Sequence, residues 1–436
     1  MSAEVRWLTR DALEGLLARL AREGELIGPV SVEGDVLFLP VGDPADVCRD
    51  YVNSHLPPKE HLLPTPEQLV AYRITDGVPA LEEQSELPGP HPRVIFGIRS
   101  CDVAGTAYLE RYFSGELFGR PDTADAQFTG RREATTMISV VCQRAGPTCM
   151  CVCCGGGPAL AQGYDWQLTE LADGWLVEIG SPRGERLAER FADLLSAAPA
   201  PAAAEKEARV RAAVESFQAT ATHRVPTMAA TRMVSAGRLD EAFWKGVGDR
   251  CFECGGCAFV CPTCWCFNVV DIAGPGTSTF EEAPLSMRPL VPGGASDRVR
   301  DGRWERVRLR DNCMLAGFIR QAGGGYPRWT CGERCLTRFF HKLSQQFQER
   351  TDALGCTGCG RCISACLGEE GIDRIAEGMR DALTGVGRAS APDARAKAAA
   401  QAAVAGSAAP VAAPAAAPAA APAAAPAAAP APEAKR

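Results

Sequence analysis

The apolar and polar positions of the first half of the chain alternate between helical and strand spacing. MSAEVRWLTRDALEGLLARLAREGEL carries an amphipathic pattern that predicts a helix over about residues 8–23. Two short apolar stretches, ELIGPVSV and DVLFLPV, read as paired strands. A proline-rich crossing (Pro57, Pro58, Pro64, Pro66) leads to VIFGI, whose β-branched and aromatic content marks a buried strand. Asp102 then stands where it can N-cap a helix running to about Phe113. MISVV reads as a second buried strand that ends at Cys142, while DWQLTEL and GWLVEIG alternate around Asp173-Gly174 as a hairpin. Helices at about 182–196 and 205–220 flank SAAPAPAAAE, an Ala/Pro linker and a domain boundary.

Beyond Leu239, after one short helix, hydrophobic periodicity gives way to cysteine spacing. CFECGGCAFVCPTCWC places six cysteines in sixteen residues, and the first four, Cys251, Cys254, Cys257 and Cys261, follow C-x2-C-x2-C-x3-C before Pro262. Three thiolates on one tight loop suit three corners of a [4Fe–4S] cube, and the fourth leaves the loop to serve another. Such a motif needs a partner, and Cys356, Cys359, Cys362 and Cys366 repeat the spacing. With ligands exchanged, Cys251, Cys254, Cys257 and Cys366 form one set, and Cys356, Cys359, Cys362 and Cys261 the other. Gly255, Gly256, Gly358 and Gly360 let backbone N–H groups approach such a cluster.

The expected fold class is therefore α+β. An N-terminal α/β domain (1–198) leads through a linker and helix (199–237) to a ferredoxin-like domain with two [4Fe–4S] clusters (238–388). Ninety-four residues are inserted between Cys261 and Cys356. They contain RWERVRLRDNC and a helical stretch, TRFFHKLSQQFQERT, whose charges taken alone read as a solvated face, the alternative being basic side chains turned toward the clusters or a partner subunit. The Ala/Pro tail (389–436) has proline at 410, 414, 418, 422, 426 and 430, which forbids a continuous helix and predicts disorder.

Composition sharpens the chemistry. Twenty cysteines suit either a disulfide scaffold or a metal protein. The first residues lack the basic and apolar regions of an export signal, and no apolar run is long enough to span a bilayer. A cytoplasmic, reducing setting with cysteines as metal ligands follows. A net charge of −7 without a basic stripe argues against nucleic acid as a partner. Structural zinc wants two separated Cys/His pairs rather than contiguous triplets. The Cys257-x3-Cys261-x2-Cys264 triplet matches that of radical S-adenosylmethionine enzymes, but too little chain follows it to build their barrel. Neither G-x-G-x-x-G nor a P-loop occurs, so no nicotinamide, flavin or nucleotide fingerprint is present. His55, His61, His91, His223 and His341 are dispersed and pair with no nucleophile.

A third cysteine group lies outside the ferredoxin motifs. Cys101 stands where VIFGI gives way to a helix, a position that favours a thiolate. Cys142 ends the next strand, and Cys149, Cys151, Cys153 and Cys154 cluster beside a glycine run. Cys101, Cys142 and two of these could build a third site, the alternative being buried structural thiols.

Six motifs in order, GIRSCDVAGTAYLERYF, CMCVCCGGGPALAQGYDWQLTEL, CGGCAFVCPTCWCFNVVD, RDNCMLAGFIRQAGGGYPR, RFFHK and GCTGCGRCISAC, carry a resemblance from about residue 94 to 375. The chain resembles the iron–sulfur β subunit of cytoplasmic [NiFe] hydrogenases (sulfhydrogenases), itself similar to an iron–sulfur subunit of anaerobic sulfite reductase. The resemblance implies an electron relay bound to a flavin and NAD(P)H subunit on one side and to a catalytic or further relay subunit on the other. It also implies Cys101, Cys142, Cys149 and Cys151 as the third cluster's ligands. The sequence departs from the family at Leu367, which replaces the usual proline, at Cys153 and Cys154, and at Cys331 and Cys335, where basic and aromatic residues are usual. The rival expectation is a catalytic iron–sulfur reductase with Cys264, Cys266, Cys313, Cys331 and Cys335 around a substrate-accessible cluster. A zinc-stabilised interaction module is a third.

Overall fold

The structure is a computed structural model that describes residues 4–82, 91–220, 224–273, 302–321 and 323–384. The Ala/Pro tail and His223 lie outside them.

The chain opens with β1 (Glu4–Thr9), α1 (Arg10–Arg22), β2 (Leu26–Val32) and β3 (Asp35–Pro40). A hairpin, β4 (Glu67–Thr75) and β5 (Val78–Leu81), precedes β6 (Arg93–Ile98), α2 (Ser100–Phe113), α3 (Ala126–Glu133) and β7 (Thr135–Val140). Then come β8 (Trp166–Glu170), β9 (Gly174–Ile179), α4 (Pro182–Arg190), α5 (Ala202–Ser216), α6 (Thr227–Ser235) and α7 (Glu241–Gly248). The motif region holds α8 (Gly256–Phe259), β10 (Phe267–Ala273), β11 (Gly302–Arg310), α9 (Cys331–Leu343) and α10 (Gln345–Thr351). It closes with α11 (Arg361–Ser364) and α12 (Ile372–Thr384).

Seven strands form one sheet in the order β1-β9-β8-β7-β6-β2-β3. Its central strands β2, β6, β7 and β8 run parallel, and antiparallel strands flank them. Parallel strands bury both faces, as the runs at β6 and β7 anticipated. On one face the fully buried Leu13, Leu16, Leu17 and Leu20 of α1 join Phe96, Ile138, Trp166 and Phe191 in the main core. Each such leucine contributes roughly 1.5–3 kcal/mol by leaving water.

The parallel arrangement also decides where the chemistry can sit. Strands that run side by side deliver their carboxyl ends to one edge, so the segments after β6 and β7, carrying Cys101 and Cys142, emerge together. Here α2 begins earlier than expected: Arg99, not Asp102, is the N-cap residue, and Asp102 lies in the first turn. The carboxylate of Asp102 does not cap. It receives two hydrogen bonds from Arg361, at 2.6 and 2.7 Å.

The long insertion is not an isolated lobe. Its β10 and β11 complete a four-stranded antiparallel sheet, β10-β11-β4-β5, with a hairpin from the first hundred residues. Arg308 of β11 reaches Glu67 of β4 inside that sheet. Residues Met1–Gly387 accordingly form one compact unit. RWERVRLR, left without an element by its mixed polarity, becomes β11 because a cross-chain partner supplies its ladder. The stretch TRFFHKLSQQFQERT is split by Ser344, which N-caps α10 through the Phe347 N–H.

Candidate metal centres

The first ferredoxin loop follows α7 directly. Cys251, Cys254, Cys257 and the distant Cys366 line one cavity, together with Cys335 and Arg338 of α9. Cys254 is exposed, whereas Cys335 is buried. Gly255 enters α8 at φ 72°, and a Cβ there would stand 2.5 Å from the Asn312 side chain. Arg338 is only 3% exposed, donates to the Cys257 carbonyl at 3.2 Å, and has an Nε–H without a partner among the described residues. Burial disfavours its charge, but Cys257, Cys362, Cys264 and Cys261 more than offset this and hold it firmly protonated.

Cys261 leaves that loop and stands within electrostatic reach of Cys356, Cys359 and Cys362, the three thiols of the second motif. Two buried lysines attend it. Lys342 Nζ donates to Thr263 Oγ1 at 2.6 Å, and Lys59 Nζ donates to the carbonyls of Cys261 and, at 2.8 Å, Cys264. A hydrogen bond from Cys264, opposed by burial and aided by Lys342 and Lys59, holds the Cys261 thiol well below its usual range. Burial lowers Lys59 to about 8.

Cys101, Cys142, Cys149 and Cys151 line a second cavity, and Cys359 of the second motif borders it too. Arg99, 6% exposed at the end of β6, bonds to the carbonyls of Tyr51 and Val140 and leaves its Nε–H without a partner among the described residues. The loop carrying Cys149 and Cys151 is docked on the second motif: Met150 N–H donates to Gly358 O at 2.8 Å. That approach requires glycine. A Cβ at Gly358 would lie 2.5 Å from Cys151 N, and one at Gly360 would lie 2.1 Å from Thr148 O, both at positive φ. Asn53 donates to Cys359 O at 2.7 Å, and the buried Arg361–Asp102 pair ties the second motif to the turn bearing Cys101.

These surroundings fit an iron–sulfur cluster. A thiolate-held cluster carries negative charge and accepts N–H bonds at sulfur. Each cavity offers four or more thiols and one buried arginine with an N–H left over, which would otherwise cost the full desolvation of that donor. The solvated face expected from the charges of the long helix is corrected here. Arg334, Arg338 and Lys342 are 2%, 3% and 3% exposed. Their spacing of four residues, beside Phe339, was the signal in the sequence. Arg99 and Lys59 carried none, because only the fold brings them to the thiols.

The remaining cysteines do not all gather at one site. Cys264 pairs with Cys261, Cys266 with Cys313, and Cys154 Sγ lies 3.9 Å from Cys356 Sγ. Cys331 and Cys335 join Cys251, the three Sγ atoms lying within 4.8 Å of one another. Hydrogen bonds from Cys331 and Cys335 pull the Cys251 thiol down to about 2 against the effect of burial. Among the described residues no helix is long and apolar enough to cross a membrane.

A family model described as a 4Fe–4S dicluster domain matches residues 294–369, which contain the second cysteine motif. The chain is 27% identical over 370 residues to the sulfhydrogenase 2 subunit beta of Pyrococcus furiosus, covering 83% of this chain and 95% of that protein. No solved structure matches. The likeness to iron–sulfur hydrogenase β subunits therefore extends over most of the chain.

Proposed function

We propose that this chain, an iron–sulfur electron-transfer subunit similar to hydrogenase β subunits, relays single electrons between a flavin and NAD(P)H-binding partner and a catalytic or further relay subunit. Cys251, Cys254, Cys257 and Cys366 would hold one [4Fe–4S] cluster, and Cys356, Cys359, Cys362 and Cys261 a second. Cys101, Cys142, Cys149 and Cys151 would hold a third. When bound, such clusters supply one-electron transfer at potentials set by charge, hydrogen bonds and exposure.

The observation that carries this reading is the contact between the cysteine-lined cavity at the sheet edge and the second motif, made through Met150, Gly358 and Cys359. A relay needs its centres close together, and these groups share a wall. The protein's own part is to fix them there. Arg361 and Asp102 clamp one to the other, Lys59 and Lys342 compensate the thiolate charge, and Arg99 and Arg338 present N–H donors to the two cavities. A sequence without a nucleotide fingerprint supports assigning hydride chemistry to a partner. The Pyrococcus relative is itself named as a subunit, which implies a multi-subunit assembly.

Iron and acid-labile sulfide, with zinc alongside, are measured on anaerobically purified protein. The expected content is about twelve iron per chain, falling by about four in Cys142→Ala. The isolated chain should be reduced by dithionite, give cluster EPR signals, and show no turnover with NAD(P)H. About eight iron, unchanged by Cys142→Ala, would remove the third site. Zinc without iron, or NAD(P)H oxidation by the chain alone, would overturn the relay.

A further inference from the structure

Five thiols surround the first cavity, one more than a four-iron cube has corners. Cys251, Cys254, Cys257 and Cys366 are the set expected from the motif, and Cys335 is the fifth. It is 3% exposed and projects from a helix. Cys251, in contrast, stands on a loop whose next three residues, Phe252, Glu253 and Cys254, are all exposed.

The position of Cys335 is closely determined. Helix α9 starts with a capping box between Thr330 and Glu333, and α7 and α9 meet through two glycines. A Cβ on Gly332 would lie 2.6 Å from Trp244 O, and one on Gly248 would lie 2.6 Å from Gly332 N. Because Cys251 follows α7 by three residues, this close crossing brings the start of α9 against it. Arg334 fastens the same turn to the cysteine loop through Glu253. The outcome is that Cys251, Cys331 and Cys335 hold their sulfurs within 4.8 Å of one another. A thiolate–metal bond is about 2.3 Å long, so two sulfurs at that separation can reach one metal with little movement. Of the two extra thiols, only Cys335 faces the cavity.

We propose that Cys335 is a reserve ligand for the iron that Cys251 would hold, keeping a four-iron cluster in the first site when the bond to Cys251 is lost. The proposal rests on the reading of Cys251, Cys254, Cys257 and Cys366 as ligands. The exchange breaks one iron–thiolate bond and makes another. The Cys335 proton would pass to the freed Cys251 thiolate, or to water in a variant that lacks that thiol, and no electron is gained or lost. Cys331, outside the cavity, keeps its thiol and takes no part.

The test uses full-length protein purified anaerobically, with iron, zinc and EPR measured on each variant and folding checked by circular dichroism. Cys251→Ala and Cys251→Ser should both keep the wild-type iron content and show a first-site EPR signal with altered g values. Cys335→Ala and Cys331→Ala alone should match wild type. The double variant Cys251→Ala/Cys335→Ala should lose about four iron per chain, as should Cys257→Ala. Loss of about four iron from folded Cys251→Ala and Cys251→Ser would overturn the proposal, as would full iron in the double variant or zinc bound in place of iron. Full iron in Cys257→Ala would instead show that the ligand assignment itself is wrong.

Discussion

The two cysteine cavities, that of the first ferredoxin loop and that of the candidate third site, are built from the same parts by opposite routes. In the first, three of the thiols come from seven consecutive residues, Cys251 to Cys257, and the fold adds Cys366 and Cys335. In the third, no two of the outer segments are neighbours in sequence: Cys101 follows one strand, Cys142 ends another, and Cys149 and Cys151 ride on a loop pressed against a distant motif. Yet each ends with one buried arginine whose Nε–H has no acceptor among the described residues. The environment a cluster needs can thus be reached either by local spacing or by the edge of a parallel sheet. What the second route adds is dependence on tertiary contacts.

That dependence can be broken selectively. Asp102 and Arg361 are both buried and bonded twice, and removing one partner leaves the other charge uncompensated. Asp102→Ala should lower unfolding free energy by about 3–5 kcal/mol, measured by denaturant titration. It should loosen the third site while the first-site EPR signal persists. Equal loss of both signals would mean that the two regions do not differ in this way.

The paired arginines sharpen the comparison with a smaller effect. A hydrogen bond from a charged donor is worth about 1.5–3 kcal/mol, equivalent to about 60–130 mV for one electron. Arg99→Met should shift the signal lost in Cys142→Ala to more negative potential by that order, and Arg338→Met the signal lost in Cys257→Ala. Redox titration followed by EPR reads both. A shift of the wrong signal in either variant would refute the pairing.

An effect confined to acid pH comes from a group that lines neither cavity and acts as a control on them. His341 stacks on Trp265 with ring centroids 5.7 Å apart, and burial, helped by Lys342, lowers its pKa to about 4. Its folded pKa lies below the unfolded value of about 6.5. Stability is therefore intact above that pH and is lost as pH falls toward 4, by about 2 kcal/mol at pH 5. His341→Phe should flatten this acid slope by that amount without changing iron content at pH 7.5. An unchanged slope would show that the ring is protonated as easily folded as unfolded.

How much was legible in the sequence follows from the range of the interactions concerned. Local spacing announced the helix of residues 10–22, the buried strands at 93–98 and 135–140 and the 166–179 hairpin, because periodicity is a near-neighbour property. It missed β1 and the four-stranded sheet, whose strands are stabilised by partners as far away as residues 67–75 and 302–310. It drew a boundary near residue 198 from a change in composition, a local cue that carries no information on packing. It read the charges of α9 as solvated, since a basic residue is costly to bury unless something unseen compensates it. For Arg338 and Lys342 the compensation is the neighbouring thiols, and for Arg334 it is Glu253 and three backbone carbonyls.

By itself, then, the sequence determined the two cysteine loops, their glycines, and the order of helices and strands along most of the chain, all of them set by residues a few positions apart. Only the tertiary structure decided which cations are buried beside these thiols, and that Cys335 stands against Cys251 in the first cavity. Those outcomes depend on where a parallel sheet ends and on how closely two helices cross at Gly248 and Gly332. No short-range pattern encodes either.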